Sequence, residues 1–252
     1  MASIRALCTC IGLTESDVSV LKDFFGFFAK NGLPPDPTGA PVQVSLKRQV
    51  DRLEGLHFHL NVFRIGSDLF SDSDNSEIDY SIFKLRNIYH LAAIGVGRIL
   101  HKNVQSANAG GLDSPTTKGD LRQITQNWTA DNDGIDLFIP NNMNVTVGKN
   151  GLILGFSPVG GTCAHKDKTT GLSGSTAGLW GTRFTSGTDQ TARSIAHELG
   201  HYLGLWHKNK RPTNLMCQSG KVVPPGSIRT STGLTEHQVK NISNHCSVES
   251  GC

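Results

Sequence analysis

The sequence predicts an α+β domain, and three observations carry that expectation. Leu56–Ile65 alternates apolar and polar residues as a strand does. Apolar side chains recur at helical spacing from Ile82 to Leu100, through Leu85, Ile88, Tyr89, Ala92, Ala93, Val96 and Ile99. Further on, His197–His207 reads H-E-x-x-H-x-x-G-x-x-H, a pattern whose spacing makes sense only on a helix that ends in a sharp turn.

Taken in order, the chain opens with Thr14–Ala29, whose Leu21, Phe24, Phe25 and Phe28 share one helical stripe. The turn-rich segment 31–37, Asn-Gly-Leu-Pro-Pro-Asp-Pro, then marks a boundary. Residues 1–55 therefore read as an N-terminal extension or pro-segment, and 56–252 as the functional domain. After the Leu56 strand comes an acidic run from Asp72 to Asp79, read as a solvated loop capping the next helix. Its alternating oxygen donors leave a structural Ca2+ as the lesser reading, because the central glycine and closing glutamate of an EF-hand are missing. Lys118–Ala130 reads as a helix, Asp131–Gly134 as a turn, Ile135–Ile139 as a buried strand, and Gly151–Phe156 and Gly174–Gly181 as further strands. Gln218–Gly233, with Pro224-Pro225-Gly226, lacks periodicity and reads as a loop. Thr235 is a good N-cap for a closing helix that runs to about His245.

Composition narrows the function classes. The 28 glycines and 18% charged residues in 252 describe a loop-rich globular protein, not a coiled or disordered one. A formal charge of +3 is too small to argue for nucleic acid or an anionic membrane, and no apolar run approaches the length of a bilayer span. Cys8 and Cys10 are too close to pair with each other. Cys163, Cys217, Cys246 and Cys252 could pair among themselves, and the connectivity stays open.

The chemistry lies in the long motif. Residues four apart share a helix face, so His197 and His201 can offer two imidazoles to one Zn2+ ion. Glu198, beside the first of them, projects toward the place of a metal-bound water and can act as its general base. Catalytic zinc takes three protein ligands and keeps one position open. Gly204 can adopt positive φ, end the helix and bring His207 to the metal from another direction. His57 and His59 also share a strand face, but without a third partner they read as structural.

Met216 stands nine residues beyond His207 in Asn214-Leu215-Met216-Cys217 and is one of three methionines in the chain. With the long motif, this resembles the metzincin clan of zinc peptidases, whose zinc signature is followed by a methionine-containing turn. The resemblance implies a twisted mixed sheet whose edge strand precedes the zinc helix and pairs with extended substrate; that edge is expected near Ser175–Gly181. It also implies that Met216 floors the metal without binding it. The domain would divide into an upper part, 56–204, and a small lower part, 205–252, whose 218–233 loop walls a substrate pocket. Export from the cell is implied too, although Met1–Leu13 is short for a secretory segment. An inhibitory N-terminal thiol, Cys8 or Cys10, is the lesser reading beside an N-terminal helix packed on the catalytic domain, because the surrounding residues do not match the switch sequence of relatives that use one. One departure stands out. Some families of the clan place tyrosine two residues after the methionine, where this chain has Gln218, so no phenolic donor is expected.

The reading is thus a zinc-dependent endopeptidase in which Glu198 activates a zinc-bound water against a polypeptide, with neither nucleic acid nor membrane as partner. A narrow exopeptidase or toxin-like effector protease stays open beside it, as does a binding module that kept the metal. The intact Glu198 argues against the last.

Overall fold

A computed structural model describes residues 55–147, 151–162, 174–180, 188–208, 211–218 and 231–250. The expectations for Thr14–Ala29, the 31–37 linker, Cys8, Cys10 and the 219–230 part of the loop lie outside the described residues.

Strand β1 (Leu56–Ile65) is the sheet's spine, parallel to β2 (Gly95–Val104) on one side and to β3 (Ile135–Pro140) on the other. Its alternation puts Phe58, Leu60 and Val62 into one apolar cluster and Phe63 and Ile65 into a second across the sheet. Strand β7 (Gly174–Ala177) continues the sheet parallel to β3, and β6 (Gly155–Phe156) closes it antiparallel to β7, giving the order β2-β1-β3-β7-β6. The edge expected at Ser175–Gly181 is therefore corrected: β7 is interior, and the free edge belongs to β6. The expected Gly151–Phe156 strand also divides, because Gly151–Leu152 (β5) pairs with Thr146–Val147 (β4) in a separate hairpin.

Helix α1 (Asp72–His90) lies between β1 and β2 in sequence, and both of its ends differ from the expectation. The acidic run is helix, not loop. Ser71 accepts from the Asp74 amide while Asp74 accepts from the Ser71 amide, a reciprocal cap that starts the helix ten residues before Ile82. The carboxylates further along are occupied: Asp79 pairs with Arg64 at 3.5 Å, and buried Glu77 accepts from the Trp180 amide (3.1 Å) and the Thr191 hydroxyl. At the other end the helix stops at His90, and Ala93 takes φ 59° before the chain enters β2. Ala92 and Val96 fill the same cluster as Ile88 and Tyr89, so their spacing mimicked a continuing helix. Parallel pairing with β1 decided the matter, since Gly95 and Gly97 favour helix least.

Short α2 (Ser106–Ala109) is followed by α3 (Lys118–Asn127), which starts at a Thr117–Asp120 capping box and ends three residues before the expected Ala130. Helix α4 (Thr188–Tyr202) packs on α1 and β7. Helix α5 (Glu236–Ser243) begins, as expected, at Thr235, which forms a capping box with Gln238. The chain then returns as β8 (Glu249–Ser250), antiparallel to Leu56 and His57. Leu205, Leu215, Met216 and Ile242 join the cluster of β1, α1 and α4, so the tail shares that core.

The β1–β2 register shifts between Phe58 and Leu60, where Gly97 and Arg98 of β2 stand against His59 alone. His59 repairs the gap: its Nδ1 accepts the Arg98 amide at 2.9 Å. Gly97 makes room, since a Cβ there would lie 2.6 Å from that nitrogen. Burial holds the His59 pKa below its ordinary value, against the raising pull of Asp133. The unfolded chain then binds the extra proton as pH falls below the usual histidine value of about 6.5, and stability drops with it. Asparagine places an acceptor near the Nδ1 position without titrating. Thermal melts of His59→Asn across pH 7.5 to 5 are therefore expected to show a shallower acid fall than the parent, and an unaltered slope would refute this role.

Candidate metal centre

Residues 190–203, which include most of helix α4, are buried throughout, and His197 and His201 lie one turn apart on one face of it. The helix ends as its glycine demands. Gly204 takes φ 91°, its amide donates to His201 O (2.9 Å), and the Leu205 amide donates to Gly200 O (2.9 Å). The loop after β6 satisfies the remaining end carbonyls, with the Gly160 amide donating to His201 O (2.9 Å) and the Gly161 amide to Tyr202 O (2.7 Å). The reversal delivers His207 to the other two imidazoles.

The three rings converge through one type of atom. His207 Nε2 lies 3.0 Å from His201 Nε2 and 3.2 Å from His197 Nε2. His197 Nδ1 donates to Leu215 O (2.8 Å), and His201 Nδ1 donates to Leu205 O (2.6 Å). With their protons on Nδ1, both rings turn Nε2 lone pairs toward the same point. Such a cluster repels itself unless a cation sits at the centre. Zinc–nitrogen bonds of about 2.0–2.1 Å in a tetrahedron separate ligand nitrogens by about 3.3 Å, close to the spacing found. The residues fit that metal. Burial, aided by the Arg193 charge, holds His197 well below its ordinary pKa, and burial lowers His201 to about 4, so both are neutral at pH 7.

Glu198 lies under the sheet edge. Gly155 of β6 comes so close that a Cβ there would be 2.4 Å from Glu198 Cγ. Burial pushes the carboxyl up to about 8, with Arg193 pulling the other way. Met216 is buried, and Gly200 leaves the space for its sulfur, since a Cβ there would meet Sδ at 2.8 Å. A tight turn holds it: the Cys217 amide donates to Asn214 O (3.0 Å), and the Met216 amide donates to Asn214 Oδ1 (3.0 Å). Asn214 and Gln238 exchange amide hydrogen bonds at 2.7 and 3.1 Å, tying the turn to α5.

Sequence reasoning missed Gly155, Gly200 and Arg193. A glycine inside the motif and an arginine in an apolar stretch were the available signals. The Tyr89 hydroxyl donates to Ala196 O (2.9 Å) and the Tyr202 hydroxyl to Thr162 O (3.2 Å). The cysteine set is narrower than expected: Cys217 is buried and in no disulfide, and Cys246 is disulfide-bonded.

A second convergence joins His57 and His59 to Glu249 of β8, so the pair does have a third neighbour. It remains structural. The Arg98 amide occupies His59 Nδ1 and leaves the proton on Nε2, which faces Asp133 Oδ2 at 3.7 Å; no lone pair is left for a metal.

Together, the twisted mixed sheet, its antiparallel edge and the buried helix with converging imidazoles define an α+β fold of metallopeptidase type. Among solved structures the chain is similar to archaemetzincin from Methanopyrus kandleri, with a TM-score of 0.50 at 12% identity, covering 75% of this chain and 95% of that one. It is also similar to metalloproteinase-II from Bacteroides fragilis, with a TM-score of 0.47 at 10% identity, covering 75% of this chain and 52% of that one. At such identities the likeness is one of fold. No protein-family profile matches the sequence, and no curated protein matches it.

Proposed function

We propose that the protein is a zinc-dependent endopeptidase of the metzincin type. The observation that carries the reading is the convergence of three Nε2 atoms at 3.0–3.2 Å, with His197 and His201 locked by backbone carbonyls in the ligating tautomer. His197, His201 and His207 hold the ion, and Met216 is the floor beneath them, the Met-turn of this chain. Bound there, zinc supplies Lewis acidity, lowering the pKa of a coordinated water to about 7 and drawing charge from a carbonyl oxygen. Glu198 is placed as the general base: its carboxylate would take a proton from an attacking water and hand it to the leaving amine. The free edge of β6 pairs with the extended polypeptide by strand addition, which sets the scissile carbonyl over Glu198. The division at 204/205 and export from the cell belong to the same reading. The intact, buried Glu198 weighs against a binding module that merely kept the metal.

The test uses the full chain and its Glu198→Ala variant, with bound zinc measured and a mixed peptide library profiled with and without chelator. Equal zinc in both and chelator-sensitive cleavage by the parent alone is the expected result. Internal cuts mark an endopeptidase and terminal trimming an exopeptidase. A zinc-loaded parent that cleaves no peptide or protein would sink the proposal.

A further inference from the structure

We infer that Arg193 is a positioning residue for the metal centre, acting on His197 through the backbone carbonyls that flank Met216. This rests on the zinc reading above. Arg193 lies on α4 one turn before His197, on the same face. Its Nη2 donates to Leu215 O at 2.7 Å and also to Cys217 O, so one guanidinium nitrogen bridges the two carbonyls on either side of the methionine. Leu215 O is also the acceptor that fixes the His197 Nδ1 proton at 2.8 Å. A single carbonyl thus joins the cation, the floor of the site and a ligand ring.

Arg193 is 4% exposed, and its burial lowers the guanidinium pKa to about 10, against the raising influence of Cys217 and Glu198. A residue that only filled space here would be better apolar, because burying a charge costs several kcal/mol, on the order set by desolvation. Arginine suits the place because the two N–H bonds of its planar Nη2 diverge in fixed directions, one toward each carbonyl, where a rotating ammonium has no fixed directions. The turn has other supports: the Asn214–Gln238 amide pair, the Leu215 amide on Gly233 O at 2.7 Å, and the Lys208 amide on Met216 O at 2.9 Å. Loss of Arg193 therefore leaves the turn in place, with the Met216 amide still on Asn214 Oδ1, but removes the charged donor that completes the alignment of the Leu215 and Cys217 carbonyls. His197 then loses the fixed acceptor that selects its tautomer and aims its Nε2. Such partners of ligating histidines typically govern metal affinity by about 10–100-fold.

Two effects oppose each other in a variant that removes the charge, since a guanidinium beside a dication also repels it. Arg193→Lys separates them by keeping the charge and discarding the fork. Zinc affinity of the full chain is measured by competition with a chromophoric chelator, and melting temperature is followed with and without zinc. The lysine variant is expected to bind zinc about 10–100-fold more weakly and to lose part of the zinc-dependent rise in melting temperature. A purely structural role would lower both melting temperatures alike and leave the affinity in place. Affinity within twofold of the parent overturns the assignment. Should the lysine variant not fold, long-range nitrogen–proton NMR of the zinc-loaded parent decides instead. Slowly exchanging Arg193 Nη protons and a protonated His197 Nδ1 are expected, and a guanidinium in fast exchange with water overturns the proposal. A parent that binds no zinc refutes the reading above; a parent that binds it while the variant binds it equally refutes the role of Arg193 alone.

Discussion

Replacing Glu198 by alanine is expected to leave zinc stoichiometry and fold in place while kcat falls by about 10²–10⁴-fold, the usual worth of a positioned general base. That is a loss of about 3–5 kcal/mol of transition-state stabilisation. The separation of binding from turnover follows from the geometry. The metal-directed atoms belong to His197, His201 and His207, and the carboxyl of Glu198 packs instead against the β6 backbone. Burial pushes this group up to about 8, so in the metal-free protein it holds its proton at neutral pH. A dication held by the neighbouring imidazoles would favour the ionised form and offset that cost, which would let a carboxylate this deeply placed act as a base. Zinc analysis beside steady-state kinetics checks the prediction. A variant that loses zinc along with activity would make Glu198 a structural residue.

The second large effect is expected from a single methyl group. Gly155→Ala puts a Cβ 2.4 Å from Glu198 Cγ and 2.8 Å from Cδ and Oε1, closer than atoms can stay. Something must yield. The Glu198 side chain can yield by turning about its Cα–Cβ bond, which costs less than moving a strand paired to β7 through Gly155–Ala177 and Phe156–Thr176. The carboxylate therefore shifts by an ångström or so and the sheet remains. A displacement of that size at the reacting centre costs about 10²-fold in rate. The predicted signature is a lower kcat with zinc content unchanged and melting temperature close to the parent's. A variant as active as the parent would mean that Glu198 works from a position clear of β6.

Much of the site was legible because it is local. The spacing of His197, Glu198, His201, Gly204 and His207 depends only on helical periodicity and on one residue's tolerance of positive φ, and the helix and its reversal follow. β1 and the Thr235 cap were equally readable, since alternation and capping act over a few residues. The stretch from Asp72 to Leu100 was misread for an instructive reason. Ser71–Asp74 is a capping box whose aspartate stands where glutamate or glutamine is the usual signal. Val96 buries against the same cluster from a strand as Ile88 does from a helix, so periodicity alone could not find the break between them.

What the sequence determined by itself is the candidate metal cluster of His197, His201 and His207 and its local scaffold, because short-range geometry ties each motif residue to the next. The tertiary structure decided which strand forms the edge, since pairing of β6 with β7 joins segments far apart in the chain. It also decided which glycine crowds the base and which carbonyls hold His197 and Arg193. Those relations depend on close packing between elements, and local periodicity carries no record of it.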